Sequence, residues 1–160
     1  MWKKLELQHY ERQLALIGRR GQSRLKRSSV FIAGAGGLGT AAASYLAAAG
    51  LGRILIADRD TVKVGNLNRQ VMYAEKDAGE PKAAVLADRL SRLNPHAELC
   101  GEHVSISASD VRDRVSTYDI IVAEVESVMG KSLHDLEEGL VAKSPGIAHY
   151  EEPSKLILNT

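Results

Sequence analysis

The sequence is poor in the residues that build disulfides, zinc clusters and membrane spans. Its 160 residues include a single cysteine, Cys100, which excludes an internal disulfide and a multi-cysteine zinc site. No apolar run approaches the roughly 18 residues of a membrane-spanning helix, and residues 1–6 lack the apolar core of a signal peptide. We therefore expect no zinc, no membrane partner and a cytoplasmic location for this chain.

The sequence also has almost no net charge, because 21 lysines and arginines nearly balance 20 aspartates and glutamates. A protein with so little net charge has no overall field that attracts nucleic acid, so we expect no nucleic-acid partner. The chain is long enough for a domain with its own core, and we predict a single domain over residues 1–160. Apolar side chains at helical spacing, from Leu7 to Ile17, predict an N-terminal helical segment over residues 1–27.

What the chain does contain is a strand, a glycine turn, an alanine-rich helix and a second strand in immediate succession. The apolar run at residues 30–33 ends at a glycine-rich turn, residues 34–39, as expected of a buried parallel strand. Alanines dominate residues 38–49, which favours a helix that packs closely on a sheet, and Gly50 ends that helix. Further strands are predicted at residues 53–57, 97–104 and 119–122. We predict an α/β, Rossmann-like three-layer domain with a mostly parallel sheet that is short or incomplete at the C-terminus.

The glycine turn and the acid that follows it have the spacing of a nucleotide-binding unit. Gly34, Gly36 and Gly39 fit the dinucleotide fingerprint, and Asp58 follows Gly39 at about the expected twenty-residue distance. Phosphates are then expected at the helix N-terminus, where Gly37 also lies, and a ribose is expected near Asp58. This pattern predicts a nucleotide but leaves NAD, FAD and ATP open.

A polar loop follows Asp58 and leaves the carboxyl edge of the predicted sheet, the side on which open α/β folds bind ligands. Asp58 and Asp60 can accept ribose hydroxyls or a metal-bound water, and Asn66 and Arg69 can face phosphate oxygens. Lys82 lies in the first turn of the next predicted helix, where the helix dipole disfavours a cation. A bound polyphosphate would offset that cost.

Several short motifs occur together in the order of one known family. They are Tyr10-Glu11-Arg12-Gln13, the glycine turn 34–39, Asp58-Arg59-Asp60, Asn66-Leu67-Asn68-Arg69-Gln70, Gly79-Glu80-Pro81-Lys82 and Leu93-Asn94-Pro95. From residue 10 to residue 122 the chain resembles the ThiF/MoeB/HesA type of adenylating domain in the ubiquitin-activating-enzyme superfamily. None of these motifs is decisive alone, but their conjunction is specific.

The resemblance implies an enzyme that uses ATP and magnesium to adenylate the C-terminal carboxylate of a small ubiquitin-like sulfur-carrier protein, with release of pyrophosphate. It also implies that the glycine turn approaches the α-phosphate while Asp58 binds the ribose. Asn66, Arg69 and Lys82 would balance the phosphate charge, so that catalysis rests on positioning and electrostatics rather than on a nucleophile. Arg12 matches the family arginine that reaches the phosphates of a neighbouring subunit, which implies a homodimer.

The chain departs from the family pattern after the strand at residues 120–122. There the family has two aspartates, of which the second binds magnesium, whereas this chain has Glu126 in that place, followed by Ser127. Glu126 is the candidate magnesium ligand, although its extra methylene conflicts with the near-ideal octahedral geometry that magnesium demands. Residues 123–160 are a divergent C-terminal part, with a faint resemblance to the end of adenylylsulfate kinases but without their phosphate loop.

Two other functions stay open on the sequence. A binding or scaffold member of the same family would keep the fold and its nucleotide without turnover, and the altered Glu126 favours it. An NAD-dependent oxidoreductase would use the glycine fingerprint but leaves Asn66, Arg69 and Lys82 unexplained. Among relatives with the same ATP chemistry, a dehydratase that acts on a modified tRNA base is an alternative to a carrier-protein enzyme.

Overall fold

The computed structural model describes residues 2, 4–107, 110, 113–114 and 117–123 of the chain. The helices and strands are α1 Lys4–His9, α2 Glu11–Arg27, β1 Ser29–Ala33, α3 Gly37–Ala49, β2 Arg53–Asp58, α4 Lys82–Leu93, β3 Glu98–His103 and β4 Ile120–Ala123. Two short 3-10 helices, Val64–Asn66 and Glu75–Asp77, lie between β2 and α4. The predicted strand-helix-strand unit is therefore β1, α3 and β2.

The four strands form one parallel sheet in the order β3-β2-β1-β4. At the end of β1, Ala33 pairs with Ala57 on one side and with Ala123 on the other, while Asp58 pairs with His103. Parallel strands that are joined by crossovers place their carboxyl ends at one edge of the sheet. The predicted α/β, Rossmann-like fold with a mostly parallel sheet is confirmed.

One face of the sheet carries the larger core, because every second strand residue points towards α3 and α4. The residues that form it include Val30, Ile32, Ile54 and Ile56 of the strands, Ala43 and Ala47 of α3, and Leu86 and Leu90 of α4. Alanine at the inner positions of α3 lets this helix approach the sheet closely, and full burial of a side chain such as Ile32 contributes about 1.5–3 kcal/mol. This packing fixes α3 with its first turn beside the end of β1.

The other face of the sheet carries a smaller cluster around Phe31. Phe31 and Leu55 pack with Tyr118 and Ile121, and the ring centroids of Phe31 and Tyr118 are 6.0 Å apart. The single cysteine, Cys100, is exposed on β3. This cluster is the part of the second face that the structure describes.

Residues 4–27 form α1 and α2, which pack beside the sheet through the buried Tyr10. Helix α2 consists of two helical stretches that meet at a kink at Gly18, whose backbone is non-helical with φ of 64° and ψ of 176°. The glycines within residues 18–21 interrupt the helical pattern of the sequence, and the kink lies in that range. The second stretch continues to Arg27.

The C-terminal part is the least described region of the chain. Residues 124–160, which include Glu126 and nearly all of the predicted divergent part, lie outside the described residues. The interpretation of residues 1–160 as a single domain therefore stays a prediction. In the ranges that the structure covers, no helix combines the length and the hydropathy that a bilayer crossing requires.

Candidate nucleotide-binding site

The glycine turn connects β1 to α3 at the carboxyl edge of the sheet. Gly34 follows β1 with a φ of 105°, a left-handed backbone that favours glycine, and its N–H donates to the carbonyl of Ala57 at 2.9 Å. Gly36 is the N-cap of α3, and Gly37 and Gly39 lie in the first turn of that helix. The four predicted glycines thus meet at the start of one helix, where backbone N–H groups and the helix dipole favour an anion.

Asp58, the last residue of β2, lies beside the glycine turn. Its Oδ2 accepts the N–H of Ala35 at 2.6 Å, its Oδ1 accepts the N–H of Asp60 at 2.7 Å, and the residue is only 8% exposed. The carboxylate therefore holds the glycine turn and the polar loop together, a structural role that spacing alone does not predict. A carboxylate has about four lone-pair sites, so acceptor capacity is left for the ribose hydroxyls that the sequence predicts here.

Lys82 is the first residue of α4 and is almost fully buried, with 5% of its surface exposed. Pro81 precedes it as the N-cap, with an extended ψ of 124°. The backbone N–H of Lys82 donates to the carbonyl of Asp60 at 3.0 Å, and its Nζ lies 3.5 Å from Oδ2 of Asp60. A buried ammonium is normally well paired, so one long contact with a carboxylate that is 51% exposed leaves donors for a further anion.

Tyr73 is a residue of this region that sequence reasoning missed. It is 5% exposed, and its Oη donates to the carbonyl of Ala35 at 2.8 Å and lies 3.4 Å from the carbonyl of Lys82. The guanidinium of Arg89, on α4, donates to the carbonyl of Met72 and so anchors the Tyr73 loop. The signal that could have found Tyr73 is that it is the one aromatic in the polar stretch between β2 and α4.

Asn66 and Arg69 lie on the outer part of the polar loop. The carbonyl of Asn66 accepts N–H bonds from Arg69 at 3.2 Å and from Gln70 at 3.0 Å, so this part of the loop is a tight turn. Arg69 is exposed, and its guanidinium donates to Oδ1 of Asn68 at 3.2 Å. Both side chains follow β2 at its carboxyl edge, but neither is hydrogen-bonded to Lys82, and their phosphate roles stay predictions.

Arg12 lies in the first turn of α2 and is exposed. The neighbouring Gln13 donates from Nε2 to the carbonyl of Ala49 at 2.7 Å, at the C-terminal end of α3. Because α3 has 13 residues, the glycine turn is roughly 18 Å away along the helix axis at 1.5 Å per residue. The structure does not bring Arg12 to the glycine turn of its own chain, and its role in another copy stays a prediction.

The predicted magnesium ligand, Glu126, lies outside the described residues. Within the part of the chain that the structure describes, no group of three or more histidine, cysteine, aspartate or glutamate side chains could hold a metal ion. Asp58 already accepts two backbone N–H bonds, and Asp60 pairs with Lys82. The described residues therefore do not form a magnesium site by themselves.

Comparison with known proteins agrees with this geometry. Residues 10–133 match the sequence profile of the ThiF family. The chain is 45% identical over 123 residues to the sulfur carrier protein adenylyltransferase of Thermus thermophilus, which covers 76% of this chain and 45% of that protein. It is 39% identical over 119 residues to the sulfur carrier protein ThiS adenylyltransferase of Escherichia coli, which covers 73% of this chain and 47% of that protein.

The fold is also similar to a solved structure, the E. coli tRNA N6-threonylcarbamoyladenosine dehydratase TcdA in complex with ATP. The TM-score is 0.74 at 24% identity, over 89% of this chain and 56% of that one. The parallel sheet, the glycine turn at the start of α3 and the acid at the end of β2 define a Rossmann-like, nucleotide-binding type of domain. With its profile matched over residues 10–133, the chain belongs to the ThiF family. It spans 45% and 47% of the lengths of the two sequence relatives.

Proposed function

We propose that this chain is the nucleotide-binding part of an ATP-dependent adenylyltransferase that acts on the C-terminal carboxylate of a ubiquitin-like sulfur-carrier protein. Two relatives at 45% and 39% identity are named as adenylyltransferases of sulfur carriers, one of them of ThiS. The observation that carries the proposal is the grouping of the glycine turn with the buried Lys82. Asp58 and Asp60 link the two through a short series of hydrogen bonds.

In the proposed complex, ATP lies along the carboxyl edge of the sheet. The ribose hydroxyls donate to Asp58, and the first turn of α3 faces the α-phosphate. The ammonium of Lys82 serves the outer phosphates, where its burial strengthens the interaction because the local dielectric is low. Asn66 and Arg69 supply further donors from the outer loop, and the planar fork of arginine suits a phosphate group.

The proposed reaction needs no side-chain nucleophile. An oxygen of the carrier's C-terminal carboxylate attacks the α-phosphorus, the bond from that phosphorus to the oxygen bridging to the β-phosphorus breaks, and pyrophosphate leaves with that oxygen. The chain contributes positioning and preorganised charge. Magnesium would supply charge neutralisation in such a reaction, and its predicted ligand Glu126 lies outside the described residues.

Arg12 belongs to this proposal as a residue that completes the site of a second copy. Its side chain is exposed at the far end of α3 from its own glycine turn. Arg12→Ala and Lys82→Ala should each reduce turnover, and a mixture of the two should regain activity, because mixed dimers hold one site with both residues. A mixture no more active than its components would contradict action across a homodimer.

The nucleotide assignment is tested by calorimetric titration with ATP, AMP and NADH. Lys82→Ala and Arg69→Ala should weaken ATP binding about tenfold or more while AMP binding changes little, because both serve the outer phosphates. Lys76→Ala and Arg92→Ala, which remove exposed cations of the same types, are the matched controls and should bind ATP normally. Equal losses for ATP and AMP would contradict the phosphate assignment, and tight NADH binding would favour the oxidoreductase.

The chemical step is tested by pyrophosphate exchange into ATP. We expect this exchange to require a ThiS-type carrier protein and to disappear when the last residue of the carrier is removed. Tight ATP binding without carrier-dependent exchange would instead support the hypothesis of a family member that binds nucleotide but has no turnover. Glu126→Asp separates these outcomes further, because restoring the family's shorter carboxylate should raise magnesium dependence and rate if Glu126 occupies the metal position.

A further inference from the structure

We propose that Tyr73 is a positioning residue that sets the glycine turn relative to Lys82, so that both bind one triphosphate at the same time. This inference rests on the proposed function for its nucleotide, but its geometric basis lies in the chain alone. Nothing in the motifs of the sequence assigns a role to this tyrosine.

The first observation is a set of hydrogen bonds that joins the glycine turn to the start of α4 at the carboxyl edge of the sheet. The N–H of Ala35 donates to Asp58 at 2.6 Å, and the N–H of Asp60 donates to Asp58 at 2.7 Å. The N–H of Lys82 donates to the carbonyl of Asp60 at 3.0 Å. Tyr73 adds a second link, because its Oη donates to the carbonyl of Ala35 at 2.8 Å and lies 3.4 Å from that of Lys82, while Arg89 of α4 donates to the carbonyl of the preceding Met72. The glycine turn and α4 are thus linked by two routes.

The second observation is that Tyr73 is itself held in place from the side of α4. The guanidinium of Arg89 donates to the carbonyl of Met72 and pairs with Asp77, so both flanks of the Tyr73 loop are tied to one helix. The tyrosine ring is 5% exposed and belongs to the main core cluster. Because the ring is held against α4, its hydroxyl bond to the carbonyl of Ala35 fixes the distance between that carbonyl and α4.

The hydroxyl carries a single proton, so the 2.8 Å bond to Ala35 takes it and the carbonyl of Lys82 is the weaker acceptor. Ala35 is fully buried, and loss of its hydroxyl donor leaves the glycine turn held to the start of α4 by the Asp58 route alone. A ligand that touches only the glycine turn tolerates this change. A triphosphate, which must reach from the glycine turn to Lys82, loses affinity when the two move independently.

The test is Tyr73→Phe, which keeps the ring and removes the hydroxyl. ATP binding should weaken about tenfold, the scale of one lost buried hydrogen bond, whereas AMP binding should change far less. Tyr118→Phe is the matched control, since Tyr118 is also buried, at 8% exposure, but lies on the opposite face of the sheet. An equal loss of ATP and AMP affinity in Tyr73→Phe would show a general structural defect and overturn the proposal.

A double-mutant cycle with Lys82→Ala gives the decisive readout, because a merely structural role would not couple the two sites. If Tyr73 acts by placing the glycine turn relative to Lys82, Tyr73→Phe should cost no further ATP affinity once the ammonium is gone. If Tyr73→Phe lowers ATP affinity by the same factor in the unaltered protein and in Lys82→Ala, the proposal is overturned.

Amide hydrogen exchange in the nucleotide-free protein separates this proposal from the proposed function. Tyr73→Phe should raise exchange at residues 34–36 and at residues 82–85 together, while Tyr118→Phe should leave both segments unchanged. If the unaltered protein binds no ATP, the proposed function fails, and the exchange result still decides the linkage. Unchanged exchange in both segments would overturn the positioning role regardless of nucleotide.

Discussion

The two ends of helix α3 differ in what surrounds their backbone groups. At the C-terminal end, the carbonyl of Ala47 accepts a bond from Nδ2 of Asn94 at 2.7 Å. The carbonyl of Ala49 accepts bonds from Nε2 of Gln13 at 2.7 Å and of Gln22 at 2.9 Å. The last carbonyls of a helix have no partner within the helix, and here three side-chain amides, two from α2 and one from the end of α4, supply partners. We call this the closed end of α3.

The N-terminal end of α3, which we call the open end, is built from residues without such side chains. Gly36 is the N-cap and has no side chain to cap the helix, and the first turn contains no acid. A Cβ added at Gly37 would meet no atom within 4 Å. Space is therefore left beside Gly37, at the end of the helix where the dipole favours an anion. The difference teaches that one helix can be capped by side chains at one end and left without a side-chain cap at the other.

The motifs that carry the family resemblance fall into two groups, one at each end of α3. Tyr10 and Asn94 stand in two of them, and both are buried at the closed end, where Nδ2 of Asn94 donates to the Tyr10 oxygen at 2.8 Å. Asp58 and Lys82 stand in two others and lie beside the open end. A family motif can therefore report stability or ligand binding, and only its place in the fold distinguishes the two.

The largest effect is expected at the closed end, from Gly50→Ala. Gly50 has φ of 89°, and an added Cβ would lie 2.6 Å from Nε2 of Gln22 and 2.7 Å from the ring of Tyr10. Backbone strain and overpacking each cost about 1–3 kcal/mol, so the free energy of unfolding in urea should fall by about 2–4 kcal/mol. Gly79→Ala is the matched control, because Gly79 has φ of 91° but open space at its Cβ. Equal losses in the two variants would contradict tight packing around Gly50.

Asn94→Ala should have the next largest effect on stability. Asn94 is fully buried, and the change removes its bonds to Ala47 and Tyr10 and the one it accepts from the N–H of His96 at 3.0 Å. Since buried unsatisfied groups cost about 1–3 kcal/mol, we expect the free energy of unfolding to fall by about 2–3 kcal/mol. Asn68→Ala, at an exposed position, should leave stability unchanged. A loss of ATP affinity in folded Asn94→Ala would break the separation of the two ends.

Gly37→Ala sharpens the comparison at the open end. The added methyl meets no protein atom, and alanine is the better helix former, so stability should stay equal or rise by about 0.5–1 kcal/mol. ATP affinity should fall about tenfold, because the methyl occupies space that a phosphate needs for close approach to the backbone. Calorimetry with ATP and with adenosine tests this, and adenosine binding should be unaffected. Unchanged ATP affinity would mean that the phosphates do not lie at this helix end.

The smallest expected effect is a pH dependence at the closed end. Burial raises the pKa of the Tyr10 phenol, and nearby Glu6 adds to the rise, while the Asn94 hydrogen bond and Lys26 oppose it. The folded protein therefore holds this proton more tightly than the unfolded chain. Its contribution is complete below the unfolded pKa, about 10, and is lost as pH rises through the folded pKa. Urea titrations from pH 8 to pH 11 should show less alkaline loss in Tyr10→Phe, whereas Tyr45→Phe, at an exposed tyrosine, should behave as the unaltered protein does.

Much of the fold was predictable because its signals are local. The apolar run before Gly34, the alanines of α3 and the spacing from Gly39 to Asp58 each depend on neighbouring residues, and the sequence profile and the parallel sheet confirm them. The site was predictable only in part. Asp58 and Lys82 lie at the ends of the elements that the motifs predict. The hydrogen bonds that Asp58 and Tyr73 each make to Ala35, in contrast, join segments that are far apart in the chain.

The sequence by itself determined the order of strands and helices and the glycine turn, because periodicity, propensity and glycine spacing are properties of short stretches. Only the tertiary structure decided which polar groups are buried and what they contact. It placed Lys82 at 5% exposure with one long ion pair to Asp60, and it placed Arg12 beyond reach of its own glycine turn. Burial and long-range contact depend on how the helices pack on the sheet, and no local pattern of residues specifies that arrangement.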